Sequence, residues 1–290
     1  MIVPGFNHRF PKEGDDDYLW SFADCHAKPD TARPLMESCC TTLEEALTAQ
    51  TRGADRIELC TDLSVGGLTP PRDLIRNVVS TLSIPVNVLI RPSSRDALCG
   101  SLRNRLASLD PSQAEPGPLP LTSRGWLRVS EGSTPALVSR EEGLGFSAED
   151  FVYDETVLQE MMGDIEYCKK AGTAGIVVGA LTPDGAIDLP AMRRLVAAAA
   201  PLPVTFHRAF DVCTEDPFTA LDQLISLGCV RLLSSGRQAT AWEGRNLLRL
   251  LVRRASQRII IMPGSGVTPG NLPALAAATL AAEFHGTRIP

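Results

Sequence analysis

The chain is short of aromatic residues, of lysine and of net positive charge, and each shortage removes a class of function. Phe, Trp and Tyr make up 5% of its 290 residues while 44% are hydrophobic, so the apolar bulk is aliphatic. Helices packed on buried parallel strands suit that composition better than a Tyr- and Trp-rich binding module, and the interior is expected to be aliphatic. A net charge of -6 leaves no surplus of Lys and Arg to displace counterions from a phosphate backbone, so nucleic acid is not an expected partner. The pairs Arg193-Arg194 and Arg253-Arg254 fall in helix-like stretches and read as solvated faces. The lysines are Lys12, Lys28, Lys169 and Lys170, and none stands at a predicted strand end, which argues against a Schiff-base mechanism.

Long hydrophobic runs are missing too. No stretch approaches the ~20 apolar residues that span a bilayer, and the opening MIVPGFNHRFPKEGDDDY has no apolar core behind a basic start. The expectation is a soluble protein of the cytoplasm or nucleus, with no membrane partner. The cysteines, at 25, 39, 40, 60, 99, 168, 213 and 229, form no CxxC pair, so buried free thiols are expected and disulfides are not. No GxGxxG follows the first strand, which removes the dinucleotide-binding fingerprint.

What is present is a βα rhythm. Residues 1–33 are polar and acidic with no sustained period and read as an N-terminal extension without fixed structure. The fold is placed in 34–290. Strand-like runs LMESCC, DRIEL, PVNVLIR, GIVVG, PVTFH, VRLLSS, RIIIMPG and LAAEFH alternate with helices near 43–52, 71–81, 155–171, 190–200, 217–227, 244–255 and 271–279. Thr42 with Glu45 makes a capping box, and Asp216 before Pro217 marks another helix start. Right-handed crossovers between near-equal units favour closure, so the fold class is α/β, a (β/α)8 TIM-type barrel. A Ser/Pro/Gly/Leu-rich stretch at 93–149 after the third strand is far longer than an ordinary βα loop of ~2–6 residues and reads as a low-complexity insertion at the barrel mouth. The sequence runs only to Pro290, which leaves no room for a helix after the eighth strand and one apolar face to be covered by the extension or by a second copy in a homo-oligomer.

Side chains alternate along a strand, and inward residues at C-terminal strand ends form a barrel's active-site floor. That rule selects Glu37 and Cys39 on the first strand, Glu58 and Cys60 on the second, and Asn87 and Arg91 on the third. It also selects Thr205 and His207 on the fifth, and Glu283 and His285 on the eighth. Burying such groups costs several kcal/mol each unless they are paired, so polar ends on five strands are poor core filler. Singly they admit plain readings: Glu58 can be a structural partner of Arg91, and His207 a satisfied core histidine. Gly264-Ser265-Gly266 and His285-Gly286-Thr287 follow the seventh and eighth strands, where bare backbone amides often meet an anion, although glycine also merely permits tight turns.

Longer motifs carry a family resemblance. ADRIELCTDLSVGGLTP at 54–70, IRP at 90–92, DFVYDE at 150–155 and GIVVGALTPDGAID at 175–188 resemble the CutC copper homeostasis family. So do VTFHRAFD at 204–211, RLLSSG at 231–236 and IMPGSGV at 261–267. The resemblance implies a (β/α)8 barrel concerned with copper tolerance, with Cu(I) held by cysteines near the first two strand ends. Carried over, these are Cys39 and Cys60, with Glu37, Glu58 and His207 as polar neighbours, and Cys40 facing away. Thiolates are soft ligands suited to Cu(I), yet both cysteines can equally be small buried hydrophobes. The alternative is an enzyme for a small anionic metabolite, phosphorylated or carboxylate. Arg91 and the Gly264, Ser265, Gly266 turn would hold the anion while Glu58, His207 or His285 moves a proton, and a divalent metal on Glu37, Glu58 and His207 is a variant.

Overall fold

The structure is a computed structural model that describes residues 33–92 and 145–287; the expected extension, but for Arg33, and most of the expected insertion lie outside the described residues. Eight strands carry the architecture: β1 (Leu35–Cys40), β2 (Arg56–Leu59), β3 (Val86–Leu89), β4 (Gly175–Val178), β5 (Val204–Phe206), β6 (Arg231–Ser234), β7 (Ile260–Pro263) and β8 (Glu283–Gly286). The helices between them are α1 (Leu43–Thr51), α2 (Arg72–Thr81), α3 (Glu155–Ala171), α4 (Leu189–Ala199), α5 (Pro217–Ser226), α6 (Arg245–Ala255) and α7 (Leu272–Thr279). Short 3-10 turns cover Leu63–Val65, Ala148–Phe151 and Arg208–Val212. Every strand pairing is parallel, in the order β7-β6-β5-β4-β3-β2-β1-β8, which makes a nearly closed barrel. Across the remaining seam Arg231 of β6 reaches Glu283 of β8 at 2.6 Å, and Arg56 Nη2 meets Met262 Sδ of β7 at 3.4 Å.

Helix starts follow local chemistry. Asp216 accepts from the amides of Phe218 and Thr219, both at 3.0 Å, and Pro217 at the first helical position has no amide to leave orphaned. Thr42 accepts from the Glu45 amide at 3.1 Å as a capping box requires, but the Glu45 carboxylate returns to the amide of Thr41, one residue earlier than expected. No helix among the described residues is long and apolar enough to cross a membrane.

The alternation of each strand separates two environments. Ile57, Leu59, Val86, Val88, Ile176, Val178, Phe206, Leu232 and Phe284 join one cluster with the helix residues Ile75, Met161, Leu195, Leu224 and Leu251, so the aliphatic core lies between strands and helices. The alternate positions carry Glu37, Arg56, Glu58, Asn87, Thr205, Glu283 and His285, all buried. The expectation of an aliphatic interior therefore holds for the outer layer and fails inside the barrel, where an ionic and hydrogen-bonded network replaces the usual stacked Val, Ile and Leu. Only a smaller apolar group, Cys39, Cys60, Leu89 and Val177, sits apart from the main cluster. Space for the polar layer comes partly from glycine. A Cβ on Gly175 would stand 2.6 Å from Asn87 Oδ1, and one on Gly179 would stand 2.5 Å from His207 Cε1.

Candidate metal and acid-base site

The lower part of the network is built on Arg56. Its Nε donates to Glu37 Oε2 in a short contact and its Nη2 to Glu283 Oε2 at 2.8 Å, while Arg231 supplies Glu283 with a second cation. Asn87 Nδ2 donates to the same Glu37 oxygen at 3.1 Å. The register places these groups together, since Glu37 pairs opposite Arg56 on one side and His285 on the other. Burial alone would raise the Glu37 carboxyl, but Arg56 and His285 outweigh it and hold the group well below the carboxylate range. Two anions and two cations thus neutralise each other inside the barrel, which is the condition for burying them at all.

Above this lies a group able to move protons or hold an ion. His285 Nδ1 lies 2.9 Å from Glu37 Oε1 and 3.1 Å from Glu58 Oε2. Burial drives Glu58 up to about 7, with the His285 charge opposing and the Glu37 charge adding to the rise. Burial would lower His285, but the Glu58 and Glu37 carboxylates prevail and raise it above 6.5. Cys39, opposite Glu58 in the register, brings its Sγ to 3.4 Å from Cys60 Sγ. The hydrogen bond with Cys60 and then burial push the Cys39 thiol well above 9.0. Ligand atoms of Cys39, Glu58 and His285 all lie within 4.8 Å of one another, and no other such trio occurs among the described residues. Cys40 belongs to the outer cluster and turns its Sγ toward Ser38, so it faces away from this group.

Other candidates are distributed differently from the sequence reading. His207 is not in the trio: it packs against Phe151 and Phe206 with ring centroids 5.0 and 5.9 Å away, and His285 occupies the place assigned to it beside Glu58. The reason is register, because β8 lies next to β1 in the sheet while β5 lies four strands from it. Glu58 pairs with His285 rather than with Arg91, whose Nη1 donates to the carbonyls of Val65 and Gly67 at 2.9 and 3.0 Å. Thr205 is buried opposite Arg231. In the turn after β7, Ser265 and Gly266 have φ of 77° and 68°, Ser265 Oγ donates to the Ala239 carbonyl, and Gly264 lies against His285. Gly286 is the last residue of β8, paired in register with Ser38, so the expected turn there begins later.

Arg56 and Asp211 escaped the sequence reading. Arg56 stands two residues before Glu58 and shares its face, so period-two alternation would have found it. Asp211 is fully buried and accepts from Ser234 Oγ, the Ser235 amide and hydroxyl, the Arg237 amide and Arg208 Nε, which ties the turn after β5 to the one after β6.

The comparisons with known proteins agree with the barrel fold. A family model described as the CutC family matches residues 34–103 and 146–289. The chain belongs to the CutC family. It is 40% identical over 252 residues to a CutC protein of Parabacteroides distasonis, covering 87% of this chain and 81% of that one. It is 37% identical over 251 residues to the copper homeostasis protein cutC homolog of Homo sapiens, covering 87% and 72%. The crystal structure of a CutC protein from Streptococcus agalactiae superposes with a TM-score of 0.66 at 29% identity, covering 89% of this chain and all of that one. Residues 104–145 lie between the two matched parts and inside the expected insertion.

Proposed function

We propose that this CutC-family chain is a copper-homeostasis protein that takes up Cu(I) on Cys39 and Cys60, with Glu58 and His285 closing the site. The observation that carries the reading is the pair of thiols 3.4 Å apart, with a carboxylate and an imidazole within 4.8 Å of Cys39. Two thiolates on adjacent strands are the soft donors Cu(I) prefers, and the copper name of the human relative agrees with them. Both thiols must give up protons to bind. Because Cys39 holds its proton well above 9.0, uptake releases protons and affinity rises with pH.

The test is an anaerobic Cu(I) titration against a competing chelator, with the reduced protein and its Cys39→Ser/Cys60→Ser variant. One-to-one binding that is lost in the variant is the expected result. Equal affinity in the two proteins would make the cysteines core residues and end the reading.

A second reading is favoured by one contact, Glu58 to His285, an acid-base pair set near neutral pH. In an enzyme acting on a small anionic metabolite, Glu58 or His285 would move the proton and the adjoining Gly264–Gly266 turn would hold the anion. A divalent ion on Cys39, Glu58 and His285 is its metal-assisted form. Copper-independent turnover of a phosphorylated or carboxylate substrate, abolished by Glu58→Gln, is the result that would promote it.

A further inference from the structure

Two buried polar groups outside the metal-ligand trio, His207 Nε2 and Tyr153 Oη, have no partner among the described residues. They come from different elements, His207 from the end of β5 and Tyr153 from the segment leading into α3. Arg91 joins them. The Phe151 ring takes the Arg91 guanidinium at 4.8 Å and the His207 imidazole at 5.0 Å, so one aromatic side chain contacts both.

The donor character of each group follows from its bonding. The Ala209 amide donates to His207 Nδ1 at 3.2 Å, which commits that nitrogen as an acceptor. Burial, and then the Arg91 charge, pull the imidazole down to about 3, so at neutral pH the ring is neutral and its one proton sits on Nε2. Burial raises Tyr153 while Arg91 opposes the rise, and the phenol stays protonated. Arg91 spends Nη1 on two carbonyls and keeps a full positive charge. The neighbouring Asp150 carboxylate is turned into the Ser147 amide at 2.8 Å. An unsatisfied buried donor is costly, and a native fold keeps such groups where something comes to meet them.

We infer that Arg91, Tyr153 and His207 form a binding subsite for the carboxylate of a small molecule, distinct from the thiol group of Cys39 and Cys60. The guanidinium, the Nε2–H and the phenol O–H can each donate, and the Asp150 carboxylate is engaged by the Ser147 amide, which suits an oxyanion. A single guanidinium, half committed to carbonyls, balances one negative charge, which favours a carboxylate over a phosphate dianion. The buried Phe146 and Phe151 rings, 5.4 Å apart at 80°, form the apolar wall beside these groups. The subsite does not depend on copper, because neither Tyr153 nor His207 belongs to the metal-ligand trio.

The test uses the full chain at constant ionic strength. Acetate is titrated in, with inorganic phosphate and chloride as the comparison anions, while side-chain nitrogen NMR reads His207 Nε2. Acetate should shift that resonance saturably, and Tyr153→Phe should weaken the response about 10-fold, equivalent to ~1.4 kcal/mol. Removing an unpaired hydroxyl leaves the unliganded Tyr153→Phe protein at least as stable as the parent, so loss of binding cannot be read as unfolding. Cu(I) affinity should be the same in both proteins, which keeps a failure here separate from a failure of the copper reading. A response to phosphate alone, no saturable response to acetate, or equal acetate binding in parent and Tyr153→Phe would overturn the inference.

Discussion

Replacing Arg56 by Met removes the cation that two buried carboxylates share while keeping the apolar stem. Glu37 keeps Asn87 and His285, and Glu283 keeps Arg231, so Glu37 is the group left without its guanidinium. Its side chain is 1% exposed, and solvent cannot take over. Stranding a buried charge costs about 3–5 kcal/mol, but the protein has a cheaper route, which is to protonate the carboxyl. From the ordinary value of 4.5 that costs about 3.4 kcal/mol near pH 7, at 1.36 kcal/mol for each unit, and almost nothing near pH 4.5.

The pH dependence has a definite sign. In the parent the Glu37 pKa is depressed, so its stabilisation is present above 4.5 and lost as the pH falls. In the variant the folded-state value rises above 4.5, and the contribution is lost as the pH rises. The gap between the two proteins should therefore widen from about 1 kcal/mol near pH 4.5 to about 3–4 kcal/mol near pH 7. Urea unfolding followed by far-ultraviolet circular dichroism at both pH values measures it. Arg56→Met/Glu37→Gln should recover much of the loss at neutral pH. A gap below about 1 kcal/mol near pH 7, or one that does not change with pH, would refute charge compensation as the role of Arg56.

Three further outcomes follow from single contacts. His207 is buried neutral, so its contribution is intact above 6.5 and should fall by on the order of 4 kcal/mol as the pH drops toward 3; His207→Phe should flatten that part of the unfolding-midpoint profile, and an unchanged slope would count against a buried neutral ring. Gly179→Ala puts a Cβ 2.5 Å from the His207 ring and should cost about 1–3 kcal/mol in denaturant unfolding, whereas a neutral substitution would mean the ring moves freely. Asp211→Asn turns an amide donor toward groups that already donate and should cost about 2–4 kcal/mol, with the 208–212 and 234–237 turns losing amide-exchange protection first; uniform protection would deny the carboxylate its tie between them.

The linear chain determined the sequence of elements, because helices and strands are decided by period, caps and turns within a few neighbours. Thr42, Asp216 and the alternation in GIVV or RIEL announce their structure locally, and each observed helix starts within one residue of where those signals place it. Alternation also separated inward from outward positions, which is why Glu37, Cys39, Glu58, Cys60 and His285 were legible as residues of the mouth. Which of them meet was decided only by the assembled, nearly closed barrel. Glu37 touches Arg56, 19 positions away, and His285, 248 positions away, through a register set by the whole sheet. The same register seats His285 rather than His207 beside the thiols, gives Arg91 to backbone carbonyls instead of Glu58, and leaves His207 Nε2 without a partner among the described residues. Partner choice among inward side chains depends on how eight strands are staggered around an axis, and that stagger is a property of the assembled sheet, absent from any local stretch of sequence.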